Sequence, residues 1–419
     1  MNIMRKIKHF IERIINHIFV YVEGGFAKKA LTSVKAKCNN DEINVGFLVF
    51  ETQTWDKLKS IYDIMQKNKR FNLKIILLPS SNNNKNFQLE STYGYEKKYF
   101  TNKYNNVILA YTNSNELIDL KSLNIDYLFY QDPYLNHYPK EYSPSKTAKY
   151  TNVCYLPYGY SGGKAFLKLL LDNHKFFQYC RFCFLDNKPY YDAMTKLYEK
   201  SIRKKIQFIF NYGYPPLENY MESNYIKVNI SHVVWTPRWS MNKTIGRSSF
   251  LEYKENFIDE ANTHNNLHFT MRPHPMMFTN MVATGIMSDQ DVKNYKTELS
   301  DHKIKLNTDD PIENVIFDND LLITDYSSII IQFFLTGKPI IYCDTSFELT
   351  ESFEKIIGVC YVANSWTDVN KYIDMLEEGN DYLFQKRVDL IKDYFEPLIM
   401  GSGERVVNSL ISYHDTGNI

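Results

Sequence analysis

Short apolar runs alternate with amphipathic, helix-like segments along most of the 419-residue chain, and this alternation restricts the fold more than any other feature. The runs at residues 43–51 and 73–79 belong to a first series, and those at 232–240, 267–275 and 320–328 belong to a second. Strands that alternate with helices form parallel sheets covered by helices on both faces. Because 419 residues exceed one ordinary core, the sequence predicts two α/β domains.

The predicted break between these domains lies around residues 190–205, where a charged segment is typical of a connecting helix. The apolar run at 205–216 is accordingly assigned to the second series. The prediction is an N-terminal helix, a first domain, a second domain and a C-terminal closing helix, at residues 1–30, 31–200, 201–400 and 401–419.

The composition indicates a folded protein, with 44% hydrophobic and 23% charged residues and a net charge of +1. Basic residues are scattered without interleaved aromatics, so the sequence gives no indication of nucleic-acid binding. No apolar run approaches the roughly 20 residues that span a bilayer, and no secretory signal is evident. A cytoplasmic location is therefore expected.

The first 22 residues nevertheless form a basic amphipathic pattern. Two interpretations stay open: a helix in the headgroup region of an anionic membrane, or a helix packed on its own domain. The apolar positions are Ile7, Phe10, Ile11, Ile14, Ile15 and Ile18, and the basic ones are Arg5, Lys6, Lys8 and Arg13.

The sequence offers few metal ligands in a suitable pattern. Cys180 and Cys183 form a C-x-x-C pair, but no second pair or nearby histidine completes a zinc site, so buried thiols are the better interpretation. His264, His268 and His274 do not form a cluster, because strand alternation separates neighbouring side chains. No metal ligand or tightly bound cofactor is predicted, and the sequence neither indicates nor excludes a requirement for a divalent cation.

Polar clusters follow several predicted strands, at the ends where open α/β sheets bind ligands. In "LLITDYSSIIIQFF" (321–334), Ser327 or Ser328 would either cap the next helix or help to bind phosphate. In "RPHP", Arg272 suits a phosphate oxygen and His274 can donate a hydrogen bond or carry a proton. In "WTPRWS", the alternative to a ligand site is a core tryptophan beside a surface Arg238.

Taken in order, these clusters resemble motifs of the CDP-glycerol glycerophosphotransferase family of teichoic-acid and capsule synthesis. The resemblance covers about residues 150 to 412, and its most specific element is the D-Y-S-S signature with the trailing K-P-I. The matching segments are "FNYGYPPLENY", "VVWTPRWS", "FTMRPHP", "DLLITDYSSIIIQFFLTGKPII" and "GSGERVVNSLI".

The resemblance implies a GT-B-like fold, with two Rossmann-like domains facing across a cleft. It also implies transfer of a polyol phosphate from a CDP-activated donor to a membrane-associated glycan or growing polymer, with release of CMP. The implied catalytic residues are His274 and Tyr158, and Arg272, Asp325, Ser327 and Ser328 would surround the donor diphosphate. The implied cleft and nucleotide residues are Gly213, Tyr214, Pro215, Thr236, Pro237, Arg238 and Gln332.

Two departures from the family pattern keep alternatives open. Tyr158, in "LPYGYSGGK", stands where the family has a histidine often assigned as catalytic base, and tyrosine is a poor base at neutral pH. Gln332 stands where an acidic residue is common. The alternatives are a GT-B glycosyltransferase that uses a nucleotide-sugar, or a non-catalytic scaffold of a capsule complex.

Overall fold

A computed structural model describes residues 24–39, 41–79, 89–242 and 246–419. The predicted N-terminal helix at 1–30 lies mostly outside these ranges, and within them residues 24–33 are helical (α1). None of the helices in the described ranges is both long and apolar enough to cross a membrane. The chain divides into two compact units, which confirms the predicted α/β fold with two Rossmann-like domains.

The first unit contains a parallel sheet of seven strands in the order β3-β2-β1-β4-β5-β6-β7. Its central strands β1 and β4 are almost fully buried, as expected when helices cover both faces. Rings of the central strands stack in its core, with Phe47 and Phe129 centroids 5.4 Å apart. The strands are β1 (Ile43–Val49), β2 (Phe71–Leu77), β3 (Val107–Leu109), β4 (Tyr127–Tyr130), β5 (Asn152–Tyr155), β6 (Phe182–Leu185) and β7 (Phe208–Asn211).

The second unit contains a parallel sheet of six strands in the order β10-β9-β8-β11-β12-β13. Leu321, Leu322 and Ile323 of its central strand are fully buried. The strands are β8 (His232–Thr236), β9 (His268–Met271), β10 (Lys305–Leu306), β11 (Leu321–Thr324), β12 (Ile340–Cys343) and β13 (Tyr361–Ala363).

Helices connect the strands, and two of them begin with a reciprocal capping box, formed by Ser288 with Asp291 and by Ser365 with Asp368. The helices before residue 205 are α2 (Trp55–Gln66), α3 (Leu89–Lys103), α4 (Pro144–Thr147), α5 (Lys164–Asp172), α6 (His174–Phe177), α7 (Lys188–Leu197) and α8 (Glu199–Arg203). Those that follow are α9 (Phe250–Thr263), α10 (Met277–Ala283), α11 (Asp289–Asp301), α12 (Ile312–Phe317), α13 (Ile329–Phe334), α14 (Glu351–Ile357), α15 (Trp366–Glu377), α16 (Phe384–Leu390), α17 (Glu396–Ile399) and α18 (Ser402–Thr416).

The boundaries of the two units differ from the predicted break near residue 200. The first unit extends to Pro216, because β7 pairs in parallel with β6 and so belongs to the first sheet. The closing helix α18 also packs in the first unit, where the Tyr127 hydroxyl donates to the carbonyl of Leu410. Residues 161–167 belong instead to the second unit, where Gly163 forms an antiparallel bridge with Leu349.

Each sheet contains a point at which the strand order reverses. In the first sheet this point lies between β1 and β4, and in the second it lies between β8 and β11. Chains that leave two such strands diverge to opposite sides, and the crevice between them is where open α/β sheets bind ligands. The loops after β8 and β11 contain "TPRWS" and "TDYSS", so the second sheet brings two of the predicted clusters together.

Candidate functional site

The candidate site lies at the strand-order reversal of the second sheet. Thr236 ends β8 and Thr324 ends β11, and the Thr236 hydroxyl donates to the Thr324 hydroxyl at 2.7 Å. The Thr324 hydroxyl in turn contacts the carbonyl of Thr236 at 3.1 Å. These bonds fix the two strand ends side by side, so the loops that follow start from a defined position.

A pocket of about 170 Å³ opens above these strand ends. This volume suits a pair of phosphate groups better than a complete nucleotide-linked donor. The pocket brings together most of the residues that the sequence predicted in this unit, and Asn307 and Asp310 support it from outside. Its lining consists of Thr236, Pro237, Arg238, Arg272, Pro273, His274, Pro275, Ile312, Ser327, Ser328, Ile329 and Gln332.

Asp325 does not line this pocket, although the sequence placed it at the donor diphosphate. Its side chain is fully buried and accepts hydrogen bonds from the backbone N–H groups of Arg238, at 3.0 Å, and Ser249, at 3.1 Å. The hydroxyls of Ser248 and Ser249 donate to the same carboxylate. Burial raises the pKa of Asp325. These contacts tie the loop after β8 to the end of β11.

Arg238 is a buried cation in the pocket wall. Its Nη1 donates to the carbonyl of Tyr326 at 2.8 Å, and its Nε donates to the carbonyl of Gly246 at 3.0 Å. Its guanidinium also lies 5.0 Å from the centroid of the Tyr326 ring. Burial lowers the pKa of Arg238, but an arginine stays charged under ordinary conditions. Arg238 therefore supplies positive charge in a fixed position, with two of its N–H donors already engaged.

Arg272 is half-buried and directed by residues that the sequence did not single out. Its Nη1 donates to Oδ1 of Asn307 at 2.7 Å. The amide of Asn307 donates to Asp310, which also accepts a salt bridge from Lys305. Asn307 follows the two-residue strand β10, which is too short to show a strand pattern in the sequence. The sequence therefore carries no signal that would have indicated Asn307.

His274 presents a hydrogen-bond donor to the pocket. Its Nδ1 accepts a hydrogen bond from the backbone N–H of Met276 at 3.2 Å, so the proton of the neutral ring lies on Nε2. Desolvation, and then the charge of Arg238, lower the pKa of His274 to about 4. Because of this low pKa the imidazole is neutral at pH 7, even though the side chain is accessible to solvent. An N–H donor beside two arginines suits an anion.

Ser327 and Ser328 are available for a ligand. Ser328 is the N-terminal capping residue of α13, but its side chain makes no capping hydrogen bond, and its backbone is already helical. Within the described ranges, neither hydroxyl has a hydrogen-bond partner. The helix-cap interpretation therefore fails for both side chains. Because α13 has only six residues, its dipole adds little, and the two hydroxyls are the more useful groups.

Gln332, in the middle of α13, also lines the pocket. Its Nε2 donates to the Tyr220 hydroxyl at 2.9 Å, and that hydroxyl donates to Glu313 at 3.2 Å. The carboxylate of Glu313 therefore lies at the end of this chain of hydrogen bonds, although residue 332 itself is neutral. The departure from the family pattern therefore leaves the wall of the pocket intact.

The remaining predicted residues belong to the first unit. Gly213, with a φ of 85°, lies between β7 and the short helical turn Pro215–Tyr220, and Tyr214 beside it is buried. The Tyr158 hydroxyl lies 2.7 Å from that of Tyr134. Burial raises the pKa of Tyr158 further above that of an ordinary tyrosine, so it is an even poorer base than its residue type suggests.

The structure shows the surroundings of the histidines and cysteines that were considered as metal ligands. Within the part of the chain that the structure describes, no group of three or more His, Cys, Asp or Glu side chains could hold a metal ion. His264 contacts Glu377 at 2.6 Å and Glu260 at 2.8 Å. Cys180 and Cys183 are buried free thiols, as predicted.

Comparison with known families supports the sequence resemblance. Residues 190–350 match the model of the family described as CDP-Glycerol:Poly(glycerophosphate) glycerophosphotransferase, a segment that includes every residue of the pocket lining. A search of curated protein sequences gave no match.

Solved structures share the fold at low sequence identity. A candidate UDP-N-acetylglucosamine 2-epimerase from Listeria monocytogenes has a TM-score of 0.56 at 12% identity, covering 90% of this chain and 98% of its own. The UDP-GlcNAc 2-epimerase from Methanocaldococcus jannaschii has a TM-score of 0.52 at 14% identity, covering 88% and 99%. A variant of the wall teichoic acid polymerase TagF has a TM-score of 0.52 at 14% identity, covering 97% and 98%.

Proposed function

We propose that this chain transfers a glycerol- or ribitol-type polyol phosphate from a CDP-activated donor, a proposal supported by the match of residues 190–350 to the CDP-Glycerol:Poly(glycerophosphate) glycerophosphotransferase family model. The acceptor is a membrane-associated glycan or a teichoic-acid or capsule polymer, and the nucleotide product is CMP. The enzyme works at the cytoplasmic face of the membrane, which residues 1–22 help it to bind.

The pocket of the second unit carries this proposal. It combines the guanidinium of Arg272, the Nε2–H of His274 and two hydroxyls without partners among the described residues, those of Ser327 and Ser328. All four groups donate hydrogen bonds, and the buried guanidinium of Arg238 adds a second positive charge. Among the described residues, the pocket lining contains these donors and no carboxylate, a composition that is complementary to a diphosphate.

The reaction follows from this arrangement. The acceptor hydroxyl attacks the phosphorus that bears the polyol, and the bond from that phosphorus to the oxygen of CMP breaks. CMP leaves with the electron pair, so negative charge grows on the phosphate that the pocket holds. Arg272 and His274 stabilise that charge, and because His274 is already neutral and oriented, little reorganisation is needed as the bond breaks.

The donor assay tests this function directly. Purified protein is incubated with CDP-glycerol, CDP-ribitol or common UDP-sugars and a polyol-phosphate oligomer as acceptor, and CMP and UDP are measured separately. We expect CMP release with a CDP-polyol. Release of UDP alone would instead support the nucleotide-sugar transferase, and CDP binding without turnover of any donor would support the scaffold.

A pair of histidine variants tests the site. Removing one oriented donor from an anionic transition state costs about 10²- to 10³-fold in kcat, so His274→Ala should lose that much activity. The matched control is His302→Ala, because His302 is exposed in the same unit and bonds to Asn262 rather than lining the pocket. Full activity of His274→Ala with a normal melting temperature would refute the assignment.

A further inference from the structure

The second unit contains another pocket, of about 420 Å³, at the carboxyl end of β12 and beside β13. It is larger than the pocket of about 170 Å³ around His274, here called the His274 pocket. The residues that line it all belong to the second unit, so it is described within that unit alone. We call it the Tyr342 pocket, and its polar lining consists of Lys164, Tyr342, Asp344, Ser346, Glu348 and Glu354.

The two pockets lie along one row of residues in the second sheet. Thr324 of β11 is in register with Thr236 of β8 on one side and with Tyr342 of β12 on the other. Residues in register on neighbouring strands point to the same face, and neighbouring strands are about 4.8 Å apart, so Thr236 and Tyr342 are about 10 Å apart. Because Thr236 lines the His274 pocket, the two pockets have a separation that the phosphate ester of a small polyol can bridge.

Three side chains form the wall between the pockets. Arg238 lines the His274 pocket, and its guanidinium lies 5.9 Å from the centroid of the Phe347 ring, which lines the Tyr342 pocket. The Tyr326 ring packs against both, 5.0 Å from the guanidinium and 4.5 Å from the Phe347 ring. A ligand that occupies the His274 pocket can therefore extend along this wall into the Tyr342 pocket.

The Tyr342 hydroxyl is the observation that points to a ligand. The residue is only 2% exposed, and among the described residues its hydroxyl has no hydrogen-bond partner. A buried polar group without a partner costs free energy, and native proteins rarely leave one without a functional reason. Burial raises the pKa of Tyr342, so the phenol keeps its proton at neutral pH and can donate it in a hydrogen bond.

Asp344 supplies the complementary acceptor. Its Oδ1 accepts the backbone N–H of Ser346 at 2.8 Å, and within the described ranges its other oxygen has no partner. The charge of Asp344 contributes to the raised pKa of Tyr342, which places the carboxylate close to the phenol. Because Asp344 is exposed, a ligand can reach its free oxygen.

A glycine-containing segment, residues 161–164, fixes the loop that carries this pocket. The backbone N–H of Lys164 donates to the carbonyl of Glu348 at 3.0 Å. A β-carbon at Gly163 would lie 2.6 Å from the Phe347 ring, so a larger residue would displace that ring. The absence of a side chain at Gly163 therefore keeps Phe347, and with it the wall of the pocket, in place.

The Tyr342 pocket differs in composition from the His274 pocket. The carboxylates of Asp344, Glu348 and Glu354 outnumber the amine of Lys164, which itself lies 3.3 Å from Glu354. A lining with excess negative charge disfavours a phosphate. Hydroxyl groups suit it, because each can donate to a carboxylate and accept from the Tyr342 phenol. A polyol is a chain of such groups.

We propose that the Tyr342 pocket binds the polyol of the CDP-activated donor and that Tyr342 and Asp344 select it, an inference that rests on the proposed function. The polyol is esterified to the diphosphate in the His274 pocket, and its hydroxyls supply the partner that Tyr342 lacks. The His274 pocket thus recognises the diphosphate, and the Tyr342 pocket recognises the group that is transferred.

Calorimetric titration of the full chain with two CDP esters tests this assignment. CDP-glycerol is compared with the propyl ester of CDP, which has the same charge and chain length but no hydroxyl on its three carbons. The wild type should prefer CDP-glycerol. Tyr342→Phe should reduce that preference by about 2- to 10-fold, the value of one hydrogen bond, and leave the affinity for the propyl ester unchanged. Asp344→Asn should reduce it by about 10-fold, because a charged acceptor bonds more strongly.

Tyr361→Phe is the matched control. Tyr361 lies on the neighbouring strand β13 and is 1% exposed, but it does not line the pocket, and its hydroxyl donates to Asp381 at 2.8 Å. Tyr361→Phe should lower the melting temperature and keep the preference for CDP-glycerol. Tyr342→Phe should do the opposite, since its hydroxyl makes no hydrogen bond with the described residues that the substitution could break.

The outcomes separate the pocket from the proposed function. A wild type without a preference for CDP-glycerol, or a Tyr342→Phe variant that keeps the preference or binds both esters less tightly, would overturn the pocket, and CMP release would still support the function. A Tyr342-dependent preference without CMP release from any donor would overturn the function and leave polyol binding in place. If Tyr342→Phe instead weakened the preference for a UDP-sugar over UDP, the pocket would hold a sugar, and the polyol assignment would be wrong.

Discussion

The carboxylate of Asp325 joins the two loops beside the His274 pocket of the second unit, and replacing it separates its structural role from its charge. Three of its hydrogen bonds end on one oxygen, Oδ2, which accepts the backbone N–H groups of Arg238 and Ser249 and the hydroxyl of Ser248. Among the described residues, the other oxygen contacts the Ser249 hydroxyl alone, and that hydroxyl can rotate to become an acceptor. An asparagine can therefore keep its oxygen on the first set and point its amide at Ser249.

The expected effects of the two substitutions differ in size. In Asp325→Ala, two buried backbone N–H groups lose their acceptor, and each such loss costs about 1–3 kcal/mol. Their sum is about 4 kcal/mol, a large part of the roughly 5–15 kcal/mol that stabilises a typical domain. Asp325→Asn keeps both acceptors, so its free energy of unfolding should fall by only about 1 kcal/mol.

Urea denaturation followed by tryptophan fluorescence measures the difference in the free energy of unfolding between the two variants, in the second unit. Three of the four tryptophans, Trp235, Trp239 and Trp366, lie in the second unit, and only Trp55 lies in the first. Introducing Trp55→Phe in all samples makes the signal report the second unit alone. Equal losses in Asp325→Ala and Asp325→Asn would refute the argument from acceptor geometry, since that argument depends on the oxygen that asparagine retains.

The pH dependence gives an independent check of the charge. Burial raises the pKa of folded Asp325 above the ordinary value of 3.8, so the folded state retains a proton that the unfolded state has lost. The free energy of unfolding of the wild type should therefore fall, relative to Asp325→Asn, as pH rises from 3.8 through the raised pKa. A wild type that gains stability over the asparagine variant in that window would show that the hydrogen bonds outweigh burial.

Two further predictions concern the K-P-I segment and the N-terminus. Lys338→Met should lower the free energy of unfolding by about 2–3 kcal/mol in the same urea experiment. The reason is that the Lys338 amine donates to the carbonyls of Ile316, Phe317 and Asn319 at the end of α12. An unchanged free energy would show that water replaces the amine at these carbonyls. Deleting residues 1–22 should reduce sedimentation with anionic liposomes and leave CMP release from a soluble acceptor intact, and undiminished binding would remove the anchor.

The pocket could be predicted from the sequence because its parts follow apolar runs at strand ends. Arg272, His274 and the two serines all lie where parallel strands of one sheet finish, so finding the strands was enough to bring them together. The sequence did not show that Asp325 lies outside the pocket lining, because an acid beside serines looks like part of the same ligand site. Its buried contacts with a loop 76 or more residues away decide its role.

Long-range contacts also explain why the compact units have other boundaries than the predicted domains. β7 has the apolar composition of any buried strand, and nothing in its sequence indicates that it pairs with β6 rather than with the second sheet. Helix α18 returns to the first unit for the same kind of reason, through contacts such as Arg70 with Asp415. Residues 345 positions apart leave no local pattern that would reveal the pair.

The missing base illustrates the same limit from the functional side. A motif comparison expects the base at position 158 and finds tyrosine there, which favours a scaffold if function is tied to sequence position. The Tyr158 hydroxyl lies 2.7 Å from that of Tyr134, and burial raises the pKa of Tyr158, so this residue does not replace the histidine as a base. A sequence motif gives the residue type at one position, whereas a catalytic base is defined by an oriented electron pair beside the acceptor. The tyrosine at position 158 therefore does not decide between the transferase and the scaffold, and the CMP-release assay separates them.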